Sequence, residues 1–168
     1  HGGIIYFDEV ADMPLGTQSK ILRVLVEQQF TRAGGQDKVR VDLRVISSTT
    51  RDLRSEIQAG RFRQELYDRL NVVPIPVPSL EERREDIPEL THHFIDVFHR
   101  SQGLPLRTLS QDAEAMLQTM RWPGNVRQLE NTLRRLAVTS NESEIGKAEV
   151  AAALGQAQSS PVPKGEFE

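Results

Sequence analysis

Residues 2–9 have the sequence Gly2-Gly3-Ile4-Ile5-Tyr6-Phe7-Asp8-Glu9. The four bulky residues in the middle predict a short strand buried on both faces, and two carboxylates follow where that strand should end. Ligands of open α/β sheets bind at the carboxyl ends of the strands. Two acids there suit a metal–nucleotide site, in which one holds Mg²⁺ and the other orients or deprotonates an attacking water. The alternative is a polar turn whose acids cap the next helix.

The composition is that of an ordinary globular protein, with 168 residues of which 38% are hydrophobic and 27% charged. No apolar run approaches the ~20 residues of a membrane span and the N-terminus lacks a signal pattern, so we expect a cytoplasmic protein without membrane contact. The absence of cysteine excludes disulfides and thiolate metal sites. A net charge of −3 argues against a protein that wraps nucleic acid by charge alone.

Strand and helix patterns alternate in the first half of the chain. Asp12 is predicted to cap a helix whose apolar residues recur at helical spacing from Ile21 onward. Residues 28–42 predict a short hairpin around a turn with two glycines. Residues 43–50 predict a second sheet strand that ends in four hydroxyl residues, which either bond a phosphate or water or simply form a turn.

Two short helices are predicted next, over residues 51–60 and 62–70. Arg63 and Arg69 lie off the buried stripe of the second helix, roughly 120° apart around its axis, so they would not grip one phosphate in the same way. They either have two distinct roles or are solvated arginines on a helix face. Residues 71–78 have a proline at every second position from Pro74, which predicts an edge strand or an extended connector.

After Glu85 the patterns are helical. Asp86 resembles the start of a capping box and Ser110 is predicted to cap the following helix. The last helix is predicted from about Lys147 to Leu154 and should end at Gly155. The remainder, residues 156–168, is predicted to be a flexible linker or tail.

A turn at residues 122–125 precedes one further predicted helix. Asn125 is expected to cap it, with Gln128 reaching back. Arg127 then lies in the first turn, where a cation opposes the helix dipole by a few tenths of a kcal/mol, a penalty that a nearby anion would remove. Arg127 is therefore a candidate phosphate contact.

Three segments occur in a characteristic order: Gly2 to Val10, Phe62 to Leu70 and Trp122 to Asn131. Their residues, order and spacing resemble the AAA+ domain of sigma-54-dependent transcriptional activators. The segments Pro14 to Leu25 and Phe30 to Gly35 are similar to the same family, so the resemblance covers the chain from its first residue to about Leu154. Within the family the chain looks most similar to response regulators of the NtrX type, which act in two-component nitrogen assimilation.

The resemblance implies roles for residues at the ends of both predicted sheet strands. Asp8 and Glu9 match the Walker B acids, Asp8 for Mg²⁺ and Glu9 for the hydrolytic water. Thr49 and Thr50 fall at the sensor I position, where the family often has Asn in place of Thr50. ATP and Mg²⁺ are the implied cofactors.

The resemblance also implies contacts between subunits of a homo-oligomeric ring. Arg63 and Arg69 match the paired arginines that reach the ATP of a neighbouring subunit, which agrees with their different helix faces. Arg127 matches the sensor II arginine of the lid, which contacts bound nucleotide. The implied partner is sigma-54 RNA polymerase.

Two family motifs do not occur in the chain: the Gly-x-x-x-x-Gly-Lys-Ser/Thr phosphate loop and the Gly-Ala-Phe-Thr-Gly-Ala loop that engages sigma-54. Both would precede residue 1, and so would a central strand of the family's sheet, so we expect a gapped or poorly supported sheet. The family's receiver domain and the helix-turn-helix domain that contacts promoter DNA are also not in this sequence.

The predicted fold class is therefore α/β, the C-terminal part of an AAA+ parallel sheet with flanking helices, followed by an all-α lid. Residues 1–82 are predicted as the partial α/β subdomain, 83–155 as the lid and 156–168 as the tail. The leading hypothesis is part of an AAA+ ATPase that remodels sigma-54 RNA polymerase, inactive on its own without the phosphate loop. The alternatives are a non-enzymatic assembly or regulatory module and another class of AAA+ motor.

Overall fold

The computed structural model describes residues 2–31, 34–35 and 37–158. The predicted tail from residue 159, and residues 32, 33 and 36 of the predicted hairpin turn, lie outside this part of the chain. The chain divides into two compact units, residues 1–76 and 77–168. Among the described residues, none of the helices combines the length and apolarity needed to cross a bilayer.

The first unit combines a parallel strand pair, a hairpin and three helices. Its elements in chain order are β1 (Gly3–Phe7), α1 (Leu15–Glu27), β2 (Gln29–Thr31), β3 (Lys38–Arg40), β4 (Leu43–Ser47), α2 (Leu53–Gln58) and α3 (Gln64–Leu70). β1 pairs with β4 in parallel, and β2 with β3 as the predicted antiparallel hairpin. The predicted mixed α/β class with a parallel sheet is confirmed, and in the described part of the chain this sheet has only the two strands β1 and β4.

The prediction that β1 is buried on both faces is wrong. Phe7 packs against a core of Val10, Phe62 and Leu66, so one face of the strand is covered. The side chains of Ile4 and Tyr6, which point to the opposite face, are 66% and 58% exposed because the described residues place no element over them. This exposed face agrees with the expected poorly supported sheet.

Residues 71–78 form a connector, one of the two predicted alternatives, and it begins with a turn at residues 71–73. They contain no strand and every one of them is exposed. Prolines at alternate positions remove the N–H donors that a ladder would need.

The second unit is mainly helical, as predicted for a lid. Its helices are α4 (Ile87–Gln102), α5 (Gln111–Thr119), α6 (Asn125–Thr139) and α7 (Lys147–Gln158). A two-residue parallel pair, β5 (Thr108–Leu109) with β6 (Glu144–Ile145), was not predicted, because two residues show no periodicity. The helices enclose one apolar cluster around Phe98, Leu117, Trp122 and Leu133.

Several predicted helix ends differ in the structure. Asp12 does not cap α1; it lies in a 3₁₀ turn and forms an ion pair with Arg51 at 2.6 Å. Asp86 precedes α4 but its side chain makes no capping hydrogen bond to a described residue; the capping box in this region is formed by Ser79 and Glu82 and begins a separate 3₁₀ turn, Leu80–Glu82. α7 continues through Gly155, which therefore does not end it.

The cap of α5 is as predicted: the side chain of Ser110 accepts a hydrogen bond from Ala113 N.

Candidate functional site

The acid pair lies at the carboxyl end of β1, beside the end of β4. Parallel pairing brings Ser48 next to it, and Ser48 Oγ donates to Asp8 Oδ1 at 2.7 Å while accepting from Glu9 N at 3.2 Å. The backbone of Ser48 is held in turn, because its N–H donates to Phe7 O and its carbonyl accepts from Val10 N. One serine thus fixes both acids to the neighbouring strand.

Glu9 is held in an unusual conformation. Its φ of 48° and ψ of 60° lie in the left-handed region. Its Oε2 accepts hydrogen bonds from Thr50 N at 3.0 Å and from Thr50 Oγ1 at 3.2 Å. Tyr6 OH donates to Asp8 Oδ1 at 3.2 Å, so a side chain of β1 contacts one of the acids.

The structure does not bring Thr49 to the acids. Its hydroxyl accepts from Arg51 N at 3.1 Å and donates to Arg51 O at 3.4 Å, forming a local turn. Of the two predicted sensor threonines, Thr50 alone contacts Glu9.

The three candidate arginines are all exposed. Arg63 immediately precedes α3 as its N-cap residue, and Arg69 lies in the last turn of that helix. Arg127 belongs to the second unit and lies in the first turn of α6. Within the described ranges none of the three forms an ion pair, so each guanidinium is available to an external anion.

Two family models between them cover nearly the whole chain. The sigma-54 interaction domain matches residues 1–76 and the AAA+ ATPase lid domain matches residues 81–166. This chain belongs to the AAA+ sigma-54 interaction family. The predicted resemblance is confirmed, and the alternative of another class of AAA+ motor is disfavoured.

Relatives of this sigma-54 interaction chain include nitrogen regulators. The nitrogen assimilation regulatory protein NtrX of Azorhizobium caulinodans is 59% identical over 138 residues, which are 82% of this chain and 30% of the relative. The transcriptional regulator NtrC of Escherichia coli K12 is 47% identical over 144 residues, 86% of this chain and 31% of the relative. The chain thus spans about a third of the length of these relatives.

A solved structure is also similar. The crystal structure of NtrX from Brucella abortus in complex with ATP matches with a TM-score of 0.82 and 47% identity, covering 87% of this chain and 35% of that one. The fold described above is therefore similar to that of part of this NtrX structure.

The sequence pattern did not single out Ser48 as a residue of the site. It is one of four consecutive hydroxyl residues at the end of β4, and the composition alone does not distinguish among them. The strand register determines which hydroxyl lies beside the acids. Phe7 pairs with Ser47, so the residues that follow, Asp8 and Ser48, are adjacent. A register inferred from the two strand patterns would have found it.

A network of charges lies between Thr50 and the segment that precedes Arg63. Glu56 is buried and accepts two hydrogen bonds from Arg61, at 2.7 and 3.0 Å, which lower the pKa of its carboxyl below the ordinary value. Arg51, next to Thr50 in the chain, approaches the same carboxylate at 3.9 Å. The network links the segment after Thr50 to the segment before Arg63.

The donor set fits Mg²⁺ held jointly with a nucleotide. Mg²⁺ is usually bound by one or two carboxylates together with waters and phosphate oxygens. Asp8 is the one carboxylate assigned to the ion, and the described residues hold no cluster of three or more His, Cys, Asp or Glu that would form a protein-only site. The remaining ligands would come from phosphate and water.

Proposed function

We propose that this chain is the second half of the ATPase domain of a longer transcription activator, the parent protein. In this proposal a homo-oligomeric ring hydrolyses ATP and remodels sigma-54 RNA polymerase, in a cytoplasmic two-component pathway of nitrogen regulation. The observation that carries the proposal is the cradle at the ends of β1 and β4, where Ser48 and Thr50 hold the acid pair Asp8 and Glu9. Membership of the sigma-54 interaction family supports the same reaction.

Each side chain of the cradle has a distinct proposed role. Asp8 would hold Mg²⁺, which supplies charge neutralisation on the phosphate oxygens. Glu9 would orient and deprotonate the attacking water. Thr50 would orient Glu9, because it occupies Oε2 and leaves Oε1 without a hydrogen bond from any described residue. Thr49 stays a sensor I candidate by resemblance.

The exposed arginines would complete the site from other parts of the assembly. We propose that Arg63 and Arg69 reach the nucleotide of a neighbouring subunit and that Arg127, as sensor II, contacts bound nucleotide from the lid. These roles are supported by the exposure of the three arginines and by their lack of ion pairs with described residues. A guanidinium already paired with a carboxylate would have to break that ion pair before it could bind a phosphate.

The domain limits are part of the same proposal. Residues 1–82 would be the partial α/β subdomain, 83–155 the lid and 156–168 a tail. The division into two compact units after Pro76 supports a boundary in this region. Contacts with sigma-54 and promoter DNA would be made by segments of the parent protein outside these residues.

ATP turnover by mixed rings of the parent protein tests the proposal. Glu9→Gln should keep ATP bound and stop hydrolysis, and Arg63→Ala or Arg69→Ala should abolish turnover. Mixing Glu9→Gln with either arginine variant should restore part of the activity at mixed interfaces. Arg23→Ala, which removes a surface arginine paired only with Glu27 in the described structure, is the control and should keep full turnover. No recovery at any mixing ratio would contradict arginines acting across subunits.

A second candidate function applies to the chain by itself, a non-enzymatic assembly or regulatory module. It is favoured by the lack of a phosphate-loop sequence among the 168 residues, since that loop's N–H groups and lysine grip the β- and γ-phosphates. Titration of this chain with Mg·ATP should give neither micromolar binding nor hydrolysis, whereas the parent protein should show both. Turnover by the chain alone would contradict this.

A further inference from the structure

The segment that leads into α3 needs acceptors for its backbone N–H groups. Arg61 N and Phe62 N donate to Glu56 O at 2.9 and 3.2 Å, and the side chain of Phe62 is buried in the core. Arg63 is the N-cap residue of α3, so its N–H precedes the helical ladder and has no partner there. The N–H of Arg63 must therefore be satisfied from elsewhere.

The partner is the side chain of Gln18, on α1. Gln18 Oε1 accepts from Arg63 N at 2.9 Å. Its Nε2 donates to Arg61 O at 2.9 Å and to Met13 O at 2.7 Å. The amide thus uses both donors and one acceptor site, all on backbone groups.

Gln18 is 0% exposed, although glutamine is among the residues that are mostly exposed in folded proteins. Burying an amide is unfavourable unless its polar atoms are bonded, and here they are. The three bonds tie backbone to backbone: Met13, which follows the 3₁₀ turn after the acid pair, is joined to the residues on either side of Phe62. This arrangement fixes where the chain enters α3, and hence where the side chain of Arg63 begins.

We propose that Gln18 is a positioning residue for Arg63, holding its backbone so that the guanidinium reaches an anionic nucleotide in the neighbouring subunit. The inference rests on the proposed function, in which Arg63 acts across the subunit boundary. Gln18 itself is buried, so it would act only through the backbone of Arg63.

Loss of the Gln18 amide should displace Arg63 without unfolding the segment 61–63 that leads into α3. Phe62 stays buried, and the paired hydrogen bonds between Arg61 and Glu56 are independent of Gln18. A displacement of about 1 Å at a catalytic group can lower the rate about a hundredfold. We therefore expect kcat for ATP hydrolysis to fall about ten- to a hundredfold, with KM for ATP little changed, because each subunit's own nucleotide contacts are intact.

The test uses Gln18→Met in the parent protein, which removes all three bonds and keeps the length of the side chain. Ser19→Ala is the matched control on the same helix, since the Ser19 hydroxyl bonds only Leu15 O in the described structure. Gln18→Glu, nearly isosteric but unable to donate when ionised, repeats the test if Gln18→Met does not fold. Turnover of both Gln18 variants equal to the wild type would overturn the proposal.

Mixed rings separate positioning from general damage. Suppose that Gln18→Met impairs only the subunit's ability to supply Arg63 to its neighbour's nucleotide. Mixing Gln18→Met subunits with Glu9→Gln subunits should then restore activity, whereas mixing them with Arg63→Ala subunits should not. A merely structural defect predicts no recovery with either partner. Equal recovery with both partners, or recovery with neither, overturns the proposed role of Gln18.

Hydrogen exchange gives a readout that does not depend on the proposed function. The amide of Arg63 should be protected in the wild type and in Ser19→Ala, and should exchange at least tenfold faster in Gln18→Met. Unchanged protection overturns the inference about Gln18. Faster exchange together with a failed Glu9→Gln and Arg63→Ala mixture would instead contradict the proposed function while retaining the backbone role of Gln18.

Discussion

Glu9 shows how single residues of the cradle are oriented. A left-handed backbone conformation costs an L-residue about 1–2 kcal/mol, and Glu9 adopts it. The hydrogen bonds that Ser48 and Thr50 make to its N–H and carboxylate offset that cost and point the side chain in one direction. The carboxylate is therefore oriented before any ligand binds, which reduces the reorganisation that a reaction would otherwise require.

Replacing Ser48 by Ala should test this orientation. The change removes the hydroxyl that joins Asp8 Oδ1 to Glu9 N and leaves the backbone bonds of residue 48 intact. We expect ATP turnover by the parent protein to fall about five- to thirtyfold, because the hydroxyl makes two hydrogen bonds and each is worth about 1 kcal/mol net. Ser47→Ala is the matched control, since the Ser47 hydroxyl bonds none of the described residues. Equal turnover in the two variants would show that Ser48 does not orient the acids.

Among the structural elements, the start of α6 shows where local patterns stop being sufficient. Gln128 does reach back as predicted, but its Oε1 accepts from Gly124 N at 2.9 Å and Gly124 is the N-cap residue. Asn125 was expected to be the cap; its Oδ1 instead accepts from Leu80 N at 2.8 Å. Leu80 lies 45 residues earlier in the chain, so a local sequence pattern does not indicate this bond.

Gly124, the N-cap residue of α6, and Gly155, within α7, should respond oppositely to alanine. A Cβ at Gly124 would lie 2.8 Å from the Cβ of Gln128, whereas a Cβ at Gly155 meets nothing within 4 Å. Gly124→Ala should destabilise the second unit by about 1–3 kcal/mol through overpacking. Gly155→Ala, within α7, should stabilise it by about 0.5–1 kcal/mol. Urea unfolding followed by Trp122 fluorescence measures both, and a neutral Gly124→Ala would contradict the predicted clash.

The junction of β6 and α7 should make the stability of the second unit sensitive to acid. The hydroxyl of Ser140 and the N–H of Gly146 both donate to the carboxylate of Glu149, which lowers its pKa below the ordinary value of 4.5. A lowered folded-state pKa contributes stability above about pH 4.5 that is lost as the pH falls through the lowered value. Glu149→Gln should therefore be less stable than the wild type at pH 7, and the difference should shrink as the pH falls below 4.5.

Glu144→Gln is the matched control for that experiment, because Glu144 lies on β6 and its side chain bonds none of the described residues. Its pH profile of unfolding free energy should parallel that of the wild type. A constant difference between Glu149→Gln and the wild type from pH 7 to pH 3 would count against the titration of Glu149.

The sequence predicted the elements better than their ends. Strands and helices of the first unit follow from the two-residue and 3.6-residue periods, which are local properties. The wrong assignments at Asp12 and Asn125 share one cause, a partner far along the chain: Arg51 for the first and Leu80 for the second. In the candidate site the acids and Thr50 could be predicted from motifs, whereas Ser48 and Gln18 depend on register and packing.

At the scale of the whole molecule, the two units differ in the size of their apolar cores. In the described part of the chain the first unit has a cluster of three buried residues, Val10, Phe62 and Leu66, whereas the second has sixteen. Since burial of apolar area is the main stabilising contribution, the second unit should be the more stable one. The single tryptophan, Trp122, is buried in it and reports on that unit alone.

Urea unfolding of the chain should therefore show two transitions. Circular dichroism, which detects helices in both units, should begin to change at a lower urea concentration than Trp122 fluorescence, which should show one later transition. Amides of β1 should exchange with solvent before those of α6. Coincident transitions by both probes would indicate one cooperative unit.

The exposed apolar face of the β1–β4 pair also affects the tendency of the chain to self-associate in solution. Ile4, Tyr6 and Ile46 are 66%, 58% and 48% exposed, and in the described structure each strand has one edge without a partner. Open edges next to apolar side chains promote association between identical chains. Preparations of the chain should therefore become turbid as they are concentrated, and a lysine in place of Ile4 should raise the concentration at which this begins.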